Sequence, residues 1–320
     1  SIGKSTKEIA SELGRDRRTI ERELKKGTVE QMNQHLMTYS IYLADVGQRV
    51  KRERAENKGR SLKIGADHDL VEYLERKIRD EKYSPEAAIE EAKKLGLEFR
   101  TSICTKTVYN YIDMGLFLGL SNKDLPVKKD KKKKPRIKRI GLKNPLKRSI
   151  EERPEYIDER EDFGHWEMDC VVGSSKECLL VLTERKYRIE KIFKMKNKTQ
   201  ENVKQELDKL ERKHRTEFSQ IFKSITMDNG SEFINMEYIE KSCIHKNAKR
   251  TTAYYAHPYS SYERGSNENA NRLIRRFIPK GSDIGAYTKK EIKRIEMWIN
   301  NYPRRMFGFN SANEMLEIAA

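Results

Sequence analysis

One stretch decides how this chain can be divided. Residues 121–150 hold 13 Lys or Arg against 2 Asp, a net of +11 out of +17 for the whole sequence. Such a block cannot enter a core, because each buried ammonium or guanidinium would lose its water without gaining a partner. The chain is therefore expected to fold as separate parts on either side of it. A single-sign block of this length is a solvated linker and often a nucleic-acid arm. Its density of positive charge points to a polyanionic partner.

Upstream of the block the apolar pattern has the helical period. In "TKEIASELGRDRRTIERELKK", residues 6–26, Ile9, Leu13, Ile20 and Leu24 recur at helical spacing. Ala10 sits where two helices could approach closely, and Gly14 breaks the pattern between them. This is a helix–turn–helix arrangement, with Arg15, Arg17, Arg18 and Arg22 on or beside the second helix as candidate DNA contacts. An ordinary αα-hairpin would share the pattern. Residues 31–65 read as a charged helical linker. Over 66–120 three short helices are expected, "HDLVEYLERKIRD", "SPEAAIEEAKKLG" and "TSICTKTVYNYIDMGLF". Ser84 would cap the second with Pro85 in its first turn. The third begins with polar and basic residues, so this segment reads as a second helix–turn–helix module or a helical spacer. The chain opens at Ser1 almost directly into the first helical pattern, so residues 1–30 are expected to be a module lacking its leading part.

After the basic linker, placed at 121–155, the period changes to two. "FGHWEMDCVVG" alternates Trp166, Met168, Cys170 and Val172 against Glu167, Asp169 and Val171. "ECLLVLTER" and "YRIEKIFKMK" follow as antiparallel neighbours. A helix opened by Thr199, a fourth strand "SITMD", a helix over "EFINMEYIEKSC", a fifth strand "RTTAYYAHP" and two closing helices complete residues 156–320. That order implies an α/β domain with a mixed five-stranded sheet.

The fourth strand ends on Asp228, before an Asn-Gly turn. Asp-Asn-Gly is ordinary turn chemistry, but Asp169 lies in the first strand. Sites in open α/β sheets gather where strand ends meet a change in strand order. If strands one and four are neighbours, the two aspartates can share a cation. Hard oxygen ligands suit Mg²⁺ or Mn²⁺, and two such ions can drive in-line phosphoryl displacement. A third carboxylate could be Glu263 or Glu268. Glu268 has the better setting, at the start of a helix capped by Ser266 or Asn267, where the dipole favours an acid. Arg272 and Arg275 follow at i+4 and i+7 on its face and could hold phosphates. Glu167 shares a strand face with Asp169 and could tune it, while His165 and His257 read as structural or phosphate-contacting.

The segments "GHWEMD", "TMDNGSEF" and "HPYSSYERGSNENANRLIRRFIPKG" resemble transposases of the IS-thirty family of bacterial insertion sequences. "EIASELGRDRRTIERELKKGTV" resembles their N-terminal helix–turn–helix, and "NNYPRR" and "NSANEML" resemble their C-terminal end. The resemblance implies a ribonuclease-H-like, integrase-type catalytic domain preceded by all-α helix–turn–helix modules. It gives Asp169, Asp228 and Glu268 the DDE roles, with two Mg²⁺ or Mn²⁺ ions per site. Arg275 takes the place of a basic residue many DDE transposases have there. The implied activity is binding of the element's inverted repeats, then cleavage and strand transfer into target DNA by a homo-multimer. The alternative is an inactive, transposase-derived DNA-binding protein. The 39 residues between Asp228 and Glu268 exceed the thirty-odd usual in that family, so an insertion is expected around Lys241–Lys249; Tyr262 stands where a Trp is more usual.

No organic cofactor, membrane span or signal segment is expected. The sequence is 37% charged with a mean hydropathy of −0.90, and no apolar run approaches the ~18 residues a membrane span needs. Cys104, Cys170, Cys178 and Cys243 form no C-x-x-C pair, which fits a reducing cytoplasm; the resemblance implies a bacterial one, with action at the nucleoid.

Overall fold

The first helix begins where its sequence says it should. Ser5 accepts from the Glu8 backbone and Glu8 reaches back to the Ser5 backbone, closing a capping box on α1 (Thr6–Glu12). Asp16 caps α2 (Arg17–Gly27), and Gly14 turns the chain between them with φ +58°. That left-handed conformation suits glycine. Buried Ala10 and Ile20 mark the faces that α1 and α2 bury.

The computed structural model describes residues 3–56, 62–126, 147–257 and 260–319, with only the backbone of Ser261 and Tyr262. Most of the basic linker, and the Tyr262 side chain, therefore lie outside the described residues. The chain divides into two units, Ser1–Ala66 and Asp67–Ala320.

In the first unit the structure corrects one expectation. The helix expected through 31–65 begins only at α3 (Ala44–Glu56). Before it, β1 (Thr28–Met32) and β2 (Thr38–Tyr42) form an antiparallel hairpin with Val29 opposite Ile41. Asn33 closes the turn, its Oδ1 accepting from the backbone N–H of His35 and Met37 at 2.9 and 3.0 Å. The hairpin is almost wholly exposed, so the short alternation of Tyr39 and Ile41 in β2 meets no core.

The second unit opens with α4 (His68–Glu75), which runs on as a π-helical turn, Arg76–Asp80. Then come α5 (Pro85–Lys94), capped by Ser84 with Pro85 at its start, and α6 (Thr105–Asp113). Lys106, Tyr109 and Asn110 of α6 are exposed. These helices pack on the C-terminal part of the unit, so the parts flanking the basic block, expected to fold separately, belong to one unit. Trp298 Nε1 donates to the Glu81 carbonyl at 2.8 Å, Tyr83 lies edge-on to Trp298 and Tyr302, and Lys94 pairs with Glu314 at 2.7 Å.

A short helix, α7 (Tyr156–Glu159), precedes the sheet. The strands are β3 (His165–Val172), β4 (Cys178–Glu184), β5 (Glu190–Met195), β6 (Ser224–Met227) and β7 (Thr252–Tyr255). Their order is β5-β4-β3-β6-β7, with β3–β4 and β4–β5 antiparallel and β3–β6 and β6–β7 parallel. The mixed five-stranded sheet expected from the sequence is therefore present.

Alternation sorts the two faces. Trp166 and Met168 join Leu180, Leu182, Ile225 and Met227 in a core roofed by α8 (Gln200–His214) through Val203 and Leu207. The short α9 (Phe218–Ile221) adds Phe218, and Phe222 stacks on Trp166 with ring centroids 4.7 Å apart. On the opposite face, α11 (Gly265–Ile274) lies against β3 and β4, and α12 (Lys289–Asn301) against β5. Both edges are covered. Glu296 and Asn300 of α12 accept from the β5 backbone at 2.9 and 2.8 Å, and Arg148 accepts from the Tyr255 N–H at 3.0 Å. α10 (Met236–Glu240) and α13 (Ala312–Ile318) complete the unit. Between α10 and β7, Lys241 and Lys249 pair in an isolated antiparallel bridge that closes a small loop where the insertion was expected. No helix among the described residues is long and apolar enough to cross a membrane.

Candidate active site

Parallel pairing of β3 and β6 sets the site. Met168 lies opposite Met227, so Asp169 and Asp228, the residues that follow, are brought side by side. Asp169 points to the α11 face. Asp228 has left the strand, and its Oδ1 accepts from the Gly230 N–H at 2.9 Å, closing an Asx turn. A side chain at Gly230 would put its Cβ 2.6 Å from the Glu232 carboxylate, so it would push that carboxylate aside.

Helix α11 supplies the groups that face these acids. Asn271 Nδ2 donates to Asp169 Oδ2 at 2.8 Å. Arg264, at the helix start, reaches both acids, 3.8 Å from Asp169 Oδ1 and 3.4 Å from Asp228 Oδ2. Burial pushes the Asp169 carboxyl up from its ordinary value; Arg264 opposes this and the Asp228 charge adds to it. The two hard-oxygen carboxylates are a donor set that suits a divalent cation, and in this structure the Arg264 guanidinium supplies the positive charge beside them. Lys147 lies 3.3 Å from Asn229 Oδ1 and over the Tyr255 ring, and Lys198 pairs with buried Glu232 at 3.0 Å. The acids are thus rimmed by cations on more than one side.

Glu268 sits on α11 one turn after Arg264 and one turn before Asn271. Its side chain is exposed and has no hydrogen-bond or ion-pair partner among the described residues. Asp169, Asp228 and Glu268 do not converge here as one ligand cluster. The trio within 4.8 Å among the described residues is Asp208, Glu211 and Cys243. That trio is committed elsewhere, since Arg250 Nη1 pairs with Asp208 at 2.6 Å and Glu211 at 3.3 Å. The other candidate, Glu263, is engaged with His257, accepting from its backbone N–H and bonding its Nδ1, both at 2.8 Å.

The start of α11 differs from the sequence expectation. Ser266 and Asn267 do not cap it; both are buried inside its first turn. Ser266 Oγ accepts from Arg188. The Asn267 N–H donates to Glu167 Oε2 at 3.0 Å, so a carboxylate from β3 satisfies the helix end. Glu167, fully buried, also holds Arg185 Nη1 at 2.9 Å. Arg185 continues to Asp158 at 3.1 Å, which Arg153 also reaches. This ionic chain, buried at Glu167 and Arg185 and open to solvent at Asp158, ties the start of α11 to β3.

The remaining candidates fall as follows. Arg272 is exposed with no partner among the described residues. Arg275 is occupied by backbone carbonyls: Val172 at 2.8 Å, and Ile278 and Pro279 at 3.4 Å. His165 is buried and bonds Ser224 Oγ at 2.7 Å; burial first, then Lys223, lower its pKa to about 4. Arg15, Arg17, Arg18 and Arg22 are all exposed along the turn and α2. Sequence reasoning missed Arg264, Asn271 and Lys147. Helical spacing from Glu268 could have flagged the first two, at i−4 and i+3; nothing local marks Lys147.

Comparison with known proteins decides the family. Residues 1–27 match a family model described as a helix-turn-helix domain. A probable transposase for insertion-like sequence element IS1161 of Streptococcus salivarius is 32% identical over 99% of this chain and 90% of that protein. The chain belongs to the IS30 family of insertion-sequence transposases. The transposase for insertion sequence element IS4351 of Bacteroides fragilis is 30% identical over 98% of this chain and 90% of that relative. Transposase InsI for element IS30C of Escherichia coli strain K12 is 32% identical over 52% of this chain and 42% of its own length. The match to the first two relatives runs through the helical modules and the sheet alike, so membership in the IS30 family covers the whole architecture described above.

Proposed function

We propose that this transposase is a DDE enzyme that cuts and joins DNA strands at Asp169, Asp228 and Glu268. The observation that carries the reading is the β3–β6 register, which sets Asp169 beside Asp228 under α11. The strand order, with β3 central and two antiparallel strands on one side of it, supports a ribonuclease-H-like reading of the catalytic unit.

The three carboxylates would hold Mg²⁺ or Mn²⁺, two ions per site, which when bound stabilise charge on the attacking oxygen and on the leaving 3′ oxygen. Asn271 holds the Asp169 carboxylate in one orientation. Glu268, exposed and unpaired among the described residues, is able to turn toward the aspartates from one helical turn away. Lys147 and Arg272 offer positive charge to the DNA backbone. Water attacks the phosphodiester at the element end; the P–O3′ bond breaks and the departing oxygen takes a proton to become a 3′-hydroxyl. That hydroxyl, losing its proton, then attacks a target phosphodiester in a second in-line displacement; a new P–O3′ bond forms as the target's own P–O3′ bond breaks and leaves a target 3′-hydroxyl.

The helix–turn–helix at residues 1–27 would bind the terminal inverted repeats, with Arg15, Arg17, Arg18 and Arg22 toward the duplex. A second module within 66–120, with α6 presenting Lys106, Tyr109 and Asn110, extends the reading. The basic segment adds salt-dependent phosphate contacts. Pairing two ends calls for a homo-multimer, and DNA as substrate sets the place of action at the cytoplasmic nucleoid. The deciding experiment is cleavage and joining of a labelled end-of-element duplex with Mg²⁺ or Mn²⁺, comparing wild type with Asp228→Asn. Activity lost in the variant supports the mechanism. Binding without cutting in either protein points instead to a DNA-binding remnant, the reading that the exposed, unengaged Glu268 would favour.

A further inference from the structure

The geometry points to Arg264 as a resident counter-cation that an incoming metal ion must displace, and whose release couples metal binding to DNA binding. The inference rests on the two-aspartate metal reading above.

Arg264 has the contacts of a placeholder. Its polar contacts among the described residues are all long: Nη1 to the Met168 carbonyl at 3.4 Å, Nη1 to Asp169 at 3.8 Å and Nη2 to Asp228 at 3.4 Å. A well-made guanidinium–carboxylate pair sits near 2.7–2.9 Å and is commonly bidentate. Its Nε is buried without a hydrogen-bond partner among the described residues. A buried donor left unpaired costs stability. The contact lengths set Arg264 apart: Arg185, whose Nε is likewise unpaired, and Arg250 hold carboxylates at 2.9 and 2.6 Å. The Arg264 side chain is only 13% exposed, so its charge is poorly screened by water and bears directly on both aspartates.

Two consequences follow. A divalent ion and the guanidinium compete for the same two carboxylates, so Arg264 weakens metal binding to the free protein. Once displaced, the guanidinium needs an anion, and a DNA phosphate at the site provides one in the bidentate geometry Arg favours. DNA then tightens metal binding by drawing Arg264 off the acids, and by reciprocity the metal tightens DNA binding.

The test is Mn²⁺ titration followed by electron paramagnetic resonance, with and without a short DNA duplex, for wild type, Arg264→Ala and Arg264→Lys. Without DNA, Arg264→Ala is expected to bind Mn²⁺ roughly tenfold more tightly, about 1.4 kcal/mol, while Arg264→Lys stays near wild type. Adding duplex should tighten Mn²⁺ binding more in wild type than in Arg264→Ala. Equal or weaker Mn²⁺ binding in Arg264→Ala would overturn the inference while leaving the metal site standing. If Arg264→Ala fails to fold, the lysine variant decides: Mn²⁺ binding and DNA coupling both much weaker than wild type would mean that Arg264 builds the site rather than guarding it. Absence of Asp228-dependent Mn²⁺ binding in every folded variant would remove the metal reading itself, and this inference with it.

Discussion

The side-chain amide of Asn271 donates to Oδ2 of Asp169 across 2.8 Å, linking the α11 helix to the central strand. Asn271 never needs to touch substrate to matter, since it holds one acid in one orientation. Groups that orient a metal ligand typically contribute 10–100-fold to affinity or activity. Asn271→Ala is expected to slow single-turnover cleavage by about that factor, with DNA binding unchanged in a gel-shift titration. A change confined to thermal stability would assign Asn271 a packing role only.

The acids themselves should behave as a set. Asp169→Asn, Asp228→Asn and Glu268→Gln are each expected to abolish cutting while leaving DNA affinity nearly intact. Glu263→Gln should cut normally, because Glu263 is engaged with His257 rather than with the aspartates. The reverse pattern, normal cutting by Glu268→Gln and none by Glu263→Gln, would mean the third carboxylate comes from the loop.

Glu167 is a stability residue at the base of the site. It is fully buried and satisfies both Arg185 and the start of α11. Glu167→Ala removes the buried partner of Arg185 and leaves it only the more exposed Asp158, 3.1 Å from its other Nη; breaking a buried pair costs on the order of 3–5 kcal/mol. Urea denaturation should show a lowered midpoint; a shift under 1 kcal/mol (roughly the worth of a surface pair) would mean Asp158 alone satisfies Arg185.

His165 gives the fold an acid limit. Its folded pKa is lowered from 6.5 to about 4, mainly by burial. Between those values the unfolded chain binds a proton that the folded chain does not. Stability from this group is therefore present above pH 6.5 and falls as the pH drops toward 4. Wild type should lose stability more steeply than His165→Gln across that window, measured as urea midpoints at several pH values. Parallel curves for the two proteins would exclude His165 as the cause.

Arg22 lies exposed on α2, past the turn that would enter a groove. If it contacts phosphate, Arg22→Ala should weaken binding to all sequences alike and reduce the salt slope by about 1. Selective loss at one base position would instead make it a base-reading residue.

Much of this was legible because two periods carry it. The period-two run from Trp166 to Val172 set the faces of the central strand, so Asp169 could be placed on the face opposite the core. The Asp-Asn-Gly turn then marked where the fourth strand stops. Residues 28–42 stayed hidden because the hairpin buries almost nothing, and hydrophobic periodicity reports only burial. Arg264 was hidden for another reason: its partners are 95 and 36 positions away in the chain, and only the parallel β3–β6 pairing brings them together. The start of α11 was misjudged because local capping rules assume a nearby side chain, whereas Glu167 reaches it from the sheet.

The bridge between Lys241 and Lys249 separates sequence distance from spatial distance. Ser242 and Cys243 anchor that loop on Glu211, whereas residues 244–247 are exposed, and chain added there should leave Asp228 and α11 where β6 and β7 put them. The interval between the second acid and the third is thus a poor ruler for comparing such enzymes, because chain can accumulate there without moving either acid. The same loop is where a tag or a fluorescent probe could be spliced in with the chemistry left undisturbed.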